Sequence, residues 1–115
     1  MSEPVDMEWL KDSTGDDPEM MKSILELFMK NTAEQIAEME KALAQNSGGD
    51  VSRIAHRCVG ASGTCGMNPL AAHFRTLETM GKAGQLTGAD AELKKASAEF
   101  ERVKDFARKN GLWAG

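Results

Sequence analysis

With 115 residues, 41% of them hydrophobic and 28% charged, the chain has the size and balance of one folded domain, which excludes wholesale disorder. A formal charge of -4, with 14 Lys and Arg scattered among 18 Asp and Glu, argues against non-specific nucleic-acid binding and points to a protein partner. No apolar stretch approaches the length of a membrane span, and Met1 to Asp6 shows no basic and apolar run of the signal-peptide kind, so a cytoplasmic chain off the membrane is expected.

The first predicted element is a short helix over about 6–12, with Met7 and Leu10 inward. Asp17 before Pro18 reads as a cap followed by a first-turn proline. It opens a long amphipathic helix to about 46, in which Met21, Leu25, Phe28, Met39 and Ala42 fall on a three-four spacing interrupted by Thr32 and Gln35. After the turn cluster Asn46-Ser47-Gly48-Gly49, Asp50 is expected to cap a third helix whose buried face carries Val51, Ile54, Ala55, Cys58, Ser62 and Cys65. That helix stops near Gly66. Asn68-Pro69 opens a fourth, with Leu70, Phe74, Leu77 and Gly81 aligned, ending around Gly84. Thr87, with Asp90 at the capping-box position, is expected to start a fifth, buried along Leu93, Ala96, Phe100, Val103 and Ala107 and stopped by Asn110-Gly111.

No segment alternates as a strand does, so the fold class is all-α. Four substantial helices with short connections predict an up-down antiparallel four-helix bundle, the short N-terminal helix lying across one end. No Pro- or Ser-rich linker and no repeat divides the chain, so 1–115 reads as one domain with a core of about 6–110. The residues from Leu112 to Gly115 are expected to fray, although Trp113 can dock. Cys58 and Cys65 stand seven residues apart on one helix. That is about 10 Å along the axis, too far for a disulfide, so both read as reduced core residues.

The chemistry concentrates on the third helix. With Val51 as origin, the core positions cluster within about 80° of zero, whereas His56 falls near about 140° and points outward. Gly60 and Gly63 project to the same side, at about 180° and about 120°. Each helical glycine costs about 1 kcal/mol relative to alanine, and close approach of another macromolecule explains why two stand beside one exposed histidine. Neutral imidazole is a competent nucleophile toward phosphorus near pH 7. Arg53 and Arg57 flank it, and no acid occurs between Asp50 and Met67, which suits an acidic pocket on a partner. The plain alternative is a solvated surface histidine on a loosened helix.

The stretch Ile54-Ala55-His56-Arg57-Cys58-Val59-Gly60-Ala61-Ser62-Gly63-Thr64-Cys65-Gly66 resembles the signature of the histidine-containing phosphotransfer (HPt) family, whose core is Ala-His-x-Leu-Lys-Gly followed by small residues and a later glycine. His56, Gly60, Ser62 and Gly66 match position by position. Asp16-Asp17-Pro18 with Leu25-Glu26-Leu27-Phe28 resembles the start of the family's long second helix, and Leu77-Glu78 a recurrent pair in its fourth. One position departs: Val59 stands where the family usually has lysine.

The resemblance implies a phosphocarrier, with His56 taking phosphate from a receiver-domain aspartate and delivering it to another. Its docking surface is expected to comprise Ser52, Arg53, Arg57, Val59, Gly60 and Gly63. The implied partners are response-regulator receiver domains or a hybrid sensor histidine kinase, and a monomer is expected. No cofactor is expected on this chain, the Mg2+ belonging to the receiver. The sequence has no Walker loop, so self-phosphorylation from ATP is not expected.

His73, beside Phe74 and Leu77, reads as a packing or boundary residue. Met20, Met21, Met39 and Met80 read as core. A di-iron bundle is disfavoured because neither His56 nor His73 has a Glu three residues before it, and no Cys-x-x-Cys-His haem attachment occurs. The rival from another class is an HPt-fold binding or inhibitory module that docks a receiver or kinase without carrying phosphate. Val59 favours that rival, and retention of His56 with Gly60 opposes it.

Overall fold

Two aspartates set the first helix starts in the computed structural model, which describes residues 3–115; the signal-peptide reading therefore falls, at Met1 and Ser2, outside the described residues. Asp6 accepts from the Trp9 N–H at 3.1 Å and starts α1 (Met7–Ser13). Asp17 accepts from the Glu19 and Met20 N–H groups and starts α2 (Pro18–Ala44) with proline in the first turn. α3 (Gly48–Thr64), α4 (Asn68–Ala83) and α5 (Ala89–Lys109) follow, and no strand occurs among the described residues. At about 1.5 Å per residue, the 27 residues of α2 account for the 41 Å long axis of the molecule.

The short connections reverse the chain each time, so α2, α3, α4 and α5 form an antiparallel bundle in which each packs on two others, in the ring α2–α3–α4–α5. Leu25, Met39, Val51, Ile54, Leu70, Phe74, Leu77 and Val103 form its buried centre. Thr32, which interrupts the apolar stripe of α2, is buried in line with Phe28 and Ile36, one turn to either side. α1 lies across the C-terminal end of α3: the Asp6 N–H donates to the Gly66 carbonyl at 2.8 Å, and Trp9 Nε1 donates to the Thr64 carbonyl at 3.1 Å. Gly66 turns there at φ 72°, where a β-carbon would stand 3.0 Å from both the Asp6 carbonyl and the Trp9 ring.

α3 and α4 approach backbone to backbone at Gly48 and Gly81. A β-carbon on Gly81 would lie 2.6 Å from the Ser52 backbone nitrogen and 2.7 Å from the Gly48 carbonyl, so only glycine lets the two backbones meet. This contact corrects the expected start of α3. The helix begins at Gly48 after Ser47, two residues before Asp50, and Asp50 instead accepts from the Ser47 hydroxyl at 3.0 Å.

Two further starts differ. α4 begins at Asn68 after Met67, whose side chain is buried, so packing rather than an Asn68 cap sets its start. α5 begins after Gly88 at φ 86°, not at Thr87, because the buried Ala89 must enter the core and the left-handed turn before it suits glycine. At the C-terminus Leu112 is buried rather than frayed, and Trp113 docks as the sequence allowed, packing on the core with the Arg108 guanidinium 4.8 Å from its ring centroid. Both cysteines are free and buried, and burial, chiefly, pushes the Cys58 thiol up to about 12, so it stays protonated. Among the described residues no helix is long and apolar enough to cross a membrane.

Candidate functional site

Val51, Ile54, Ala55 and Cys58 anchor one face of α3 in the core, which leaves His56 on the opposite face with its side chain 74% exposed. The imidazole is nevertheless held. Nδ1 lies 2.8 Å from Oε2 of Glu78 on α4, and Lys82, one turn further along α4, places Nζ 3.4 Å from that same oxygen. Glu78 itself is largely covered, its side chain 12% exposed. The His56 hydrogen bond, with help from Lys82 and against partial desolvation, holds its carboxyl below the usual carboxylate range.

An ionised carboxylate only accepts, so the proton of the neutral ring sits on Nδ1 and donates to Glu78. Nε2 then carries the lone pair and faces solvent. Beside it the backbone is bare, since a β-carbon added to Gly60 or Gly63 would meet nothing within 4 Å. Neither glycine is required by packing inside this chain. That separates them from Gly81 and Gly48, whose small size the α3–α4 contact demands.

The other docking candidates divide. Arg57 is exposed beside His56, and Arg53 is exposed but tethered to Asp50 at 3.5 Å. Val59 is half-buried and packs on the core, on the rim of the exposed face. Ser52 is half-buried where α3 meets Gly81, so it belongs partly to the helix contact. On the far side of Gly60, a shallow groove of about 290 Å³ runs between α2 and α3, lined by Ile24, Leu27, Phe28, Gly60, Ala61 and Thr64. Leu27 is 60% exposed at its edge.

His73 makes a second imidazole–carboxylate pair, Nδ1 to Glu92 Oε2 at 2.7 Å, with side chains 30% and 16% exposed. It ties α4 to α5 at the boundary of the core.

In the sequence Glu78 stands out only as half of the recurrent Leu77-Glu78 pair, and no local pattern marks Lys82 or Leu27. A signal for the first existed: His56 lies eleven residues before Met67 and Glu78 eleven after it, mirror positions across an antiparallel hairpin. No curated protein and no solved structure matches the chain. A family model does, that of the Hpt domain, over residues 23–106, a span that contains the exposed histidine, its carboxylate partner and the bare helical face; the chain belongs to the Hpt domain family, the histidine phosphotransfer modules of phosphorelay signalling.

Proposed function

We propose that His56 is the phosphoacceptor of this domain, taking its phosphoryl group from an aspartyl phosphate on one receiver domain and delivering it to an aspartate on another. Hpt domains are phosphocarriers that meet receiver domains, and the finer reading rests on one observation: an exposed imidazole whose Nδ1 is held by a covered carboxylate while Nε2 is open. Such a ring is oriented before its partner arrives.

The Nε2 lone pair forms the N–P bond as the P–O bond to the aspartyl carboxylate breaks, and that electron pair leaves on the carboxylate. No proton need move. The ring becomes cationic, its proton stays on Nδ1, and Glu78 offsets the new charge at 2.8 Å. A domain that docked without carrying phosphate would need neither the free Nε2 nor the covered carboxylate. On this reading the divalent cation belongs to the receiver, Arg53, Arg57, Val59, Gly60 and Gly63 border the docking face, and the chain works as a cytoplasmic monomer without autokinase activity.

Incubation with a phosphorylated receiver should give acid-labile, base-stable phosphate on this chain. His56→Gln should abolish the label with the helical fold intact, whereas His73→Gln should keep it. Undiminished label on the His56 variant would reject the assignment.

A further inference from the structure

We propose that Lys82 is the cation that binds the phosphoryl group while it resides on His56, released to it from Glu78 as the ring becomes charged. The inference deepens the reading of His56 as phosphoacceptor and rests on it. Its ground is a shared atom. Oε2 of Glu78 stands 2.8 Å from His56 Nδ1 and 3.4 Å from Lys82 Nζ, so the ammonium and the imidazole can be no further apart than those two lengths laid end to end.

Before transfer, the Glu78 carboxylate is divided between a neutral N–H and an ammonium. After transfer, the ring is a cation and the phosphoryl group on Nε2 carries about two negative charges. The ring then has the stronger claim on Glu78, and the ammonium the stronger attraction to the phosphoryl oxygens. Lys82 is free to follow, since its side chain is 69% exposed on a flexible stem. It stays protonated and moves no proton; its N–H groups donate to phosphoryl oxygens.

The other cations nearby are worse placed. Arg53 pairs with Asp50 at 3.5 Å, a carboxylate that His56 does not share and that the ring's new charge therefore does not draw away, Arg57 leaves α3 about 100° around the helix from His56, and Arg75, one turn before Glu78 on α4, makes no ion pair with that carboxylate. Val59, on α3 itself, offers only apolar surface packed on the core.

The test measures the equilibrium of transfer between a phosphorylated receiver and the intact domain, and the 31P titration of the phosphorylated domain, for wild type, Lys82→Gln and Lys82→Arg. Loss of a partly exposed charge contact of about 1 kcal/mol should shift the equilibrium roughly five-fold away from phosphohistidine in Lys82→Gln. The shift should shrink at high salt. The 31P midpoint should move to higher pH in Lys82→Gln, because a nearby ammonium favours the dianion, and stay close to wild type in Lys82→Arg. Val59→Lys placed in the Lys82→Gln chain should recover part of both, by supplying a cation from α3. A lysine that merely steadied Glu78 would leave the 31P midpoint where it was. If wild type takes label on His56 and Lys82→Gln shows an unchanged equilibrium and midpoint, the Lys82 assignment is overturned while His56 stands; if wild type takes no label, both fall.

Discussion

Glu78 gives the imidazole its direction, and its chemistry can be separated from that of the histidine by one substitution. Glu78→Gln retains a carbonyl oxygen able to accept from Nδ1–H but removes the charge that would offset the ring cation in the proposed transfer. A hydrogen bond to a charged group contributes about 1.5–3 kcal/mol, so single-turnover transfer should slow by roughly ten-fold or more. Stability should respond to pH with a definite sign. The Glu78 carboxyl lies below its ordinary 4.5 in the folded chain, so its contribution is fully present above that value and is lost as pH falls through the folded one. Acid titrations of stability should therefore be flatter for Glu78→Gln than for wild type, and superposable curves would mean that the pairing is not maintained in solution. At this scale the sequence made His56 legible, because an outward wheel position and two glycines are local facts. The partner was not legible in the same way. Its contact spans 22 residues and depends on how α4 is rotated against α3, which no local pattern encodes.

Glycine does opposite things on neighbouring helices, and the difference is open to measurement. Gly63 faces open space, so Gly63→Gln should gain up to about 1 kcal/mol of helix propensity and weaken receiver binding by obstruction. Gly81→Ala meets backbone atoms of Ser52 and Gly48 that cannot yield singly, so it should destabilise by about 1–3 kcal/mol. Urea midpoints of the two variants should move in opposite directions; a common direction would contradict this division. The helical stripes and most helix ends were visible in the sequence because they follow from apolar spacing and from Pro, Asp and Gly at the termini. The starts of α3, α4 and α5 were not, since Gly48, Met67 and Ala89 are fixed by contacts with other helices. Burial of Leu112 was missed for the same reason: its dock is made by elements remote in sequence.

Across the whole molecule the face that carries His56 is asymmetric, polar on one side of the imidazole and apolar on the other. On the α4 side stand Glu78 and Lys82; beyond Gly60 the surface becomes the groove of Ile24, Leu27 and Thr64 between α2 and α3. α1 extends it, because Trp9 donates to the Thr64 carbonyl while remaining 52% exposed. In the proposed transfer, a receiver that brings its aspartate to Nε2 must cover a much wider area than the imidazole, and the bare Gly60 leads directly from His56 to the apolar side. Leu27, 60% exposed, contributes little to folding where it stands, so Leu27→Asp should alter stability by no more than about 0.5 kcal/mol. Burying it against a partner would contribute about 1.5 kcal/mol or more, so the same substitution should weaken receiver binding by roughly ten-fold or more. Trp9 offers a direct readout. In a Trp113→Phe chain it is the one remaining tryptophan, and its emission should shift to shorter wavelength as the receiver excludes water from it. Titrating an unphosphorylated receiver into this chain with and without Leu27→Asp gives affinity and location together: unchanged affinity with a silent Trp9 would place the docking surface on the α4 side of His56 instead.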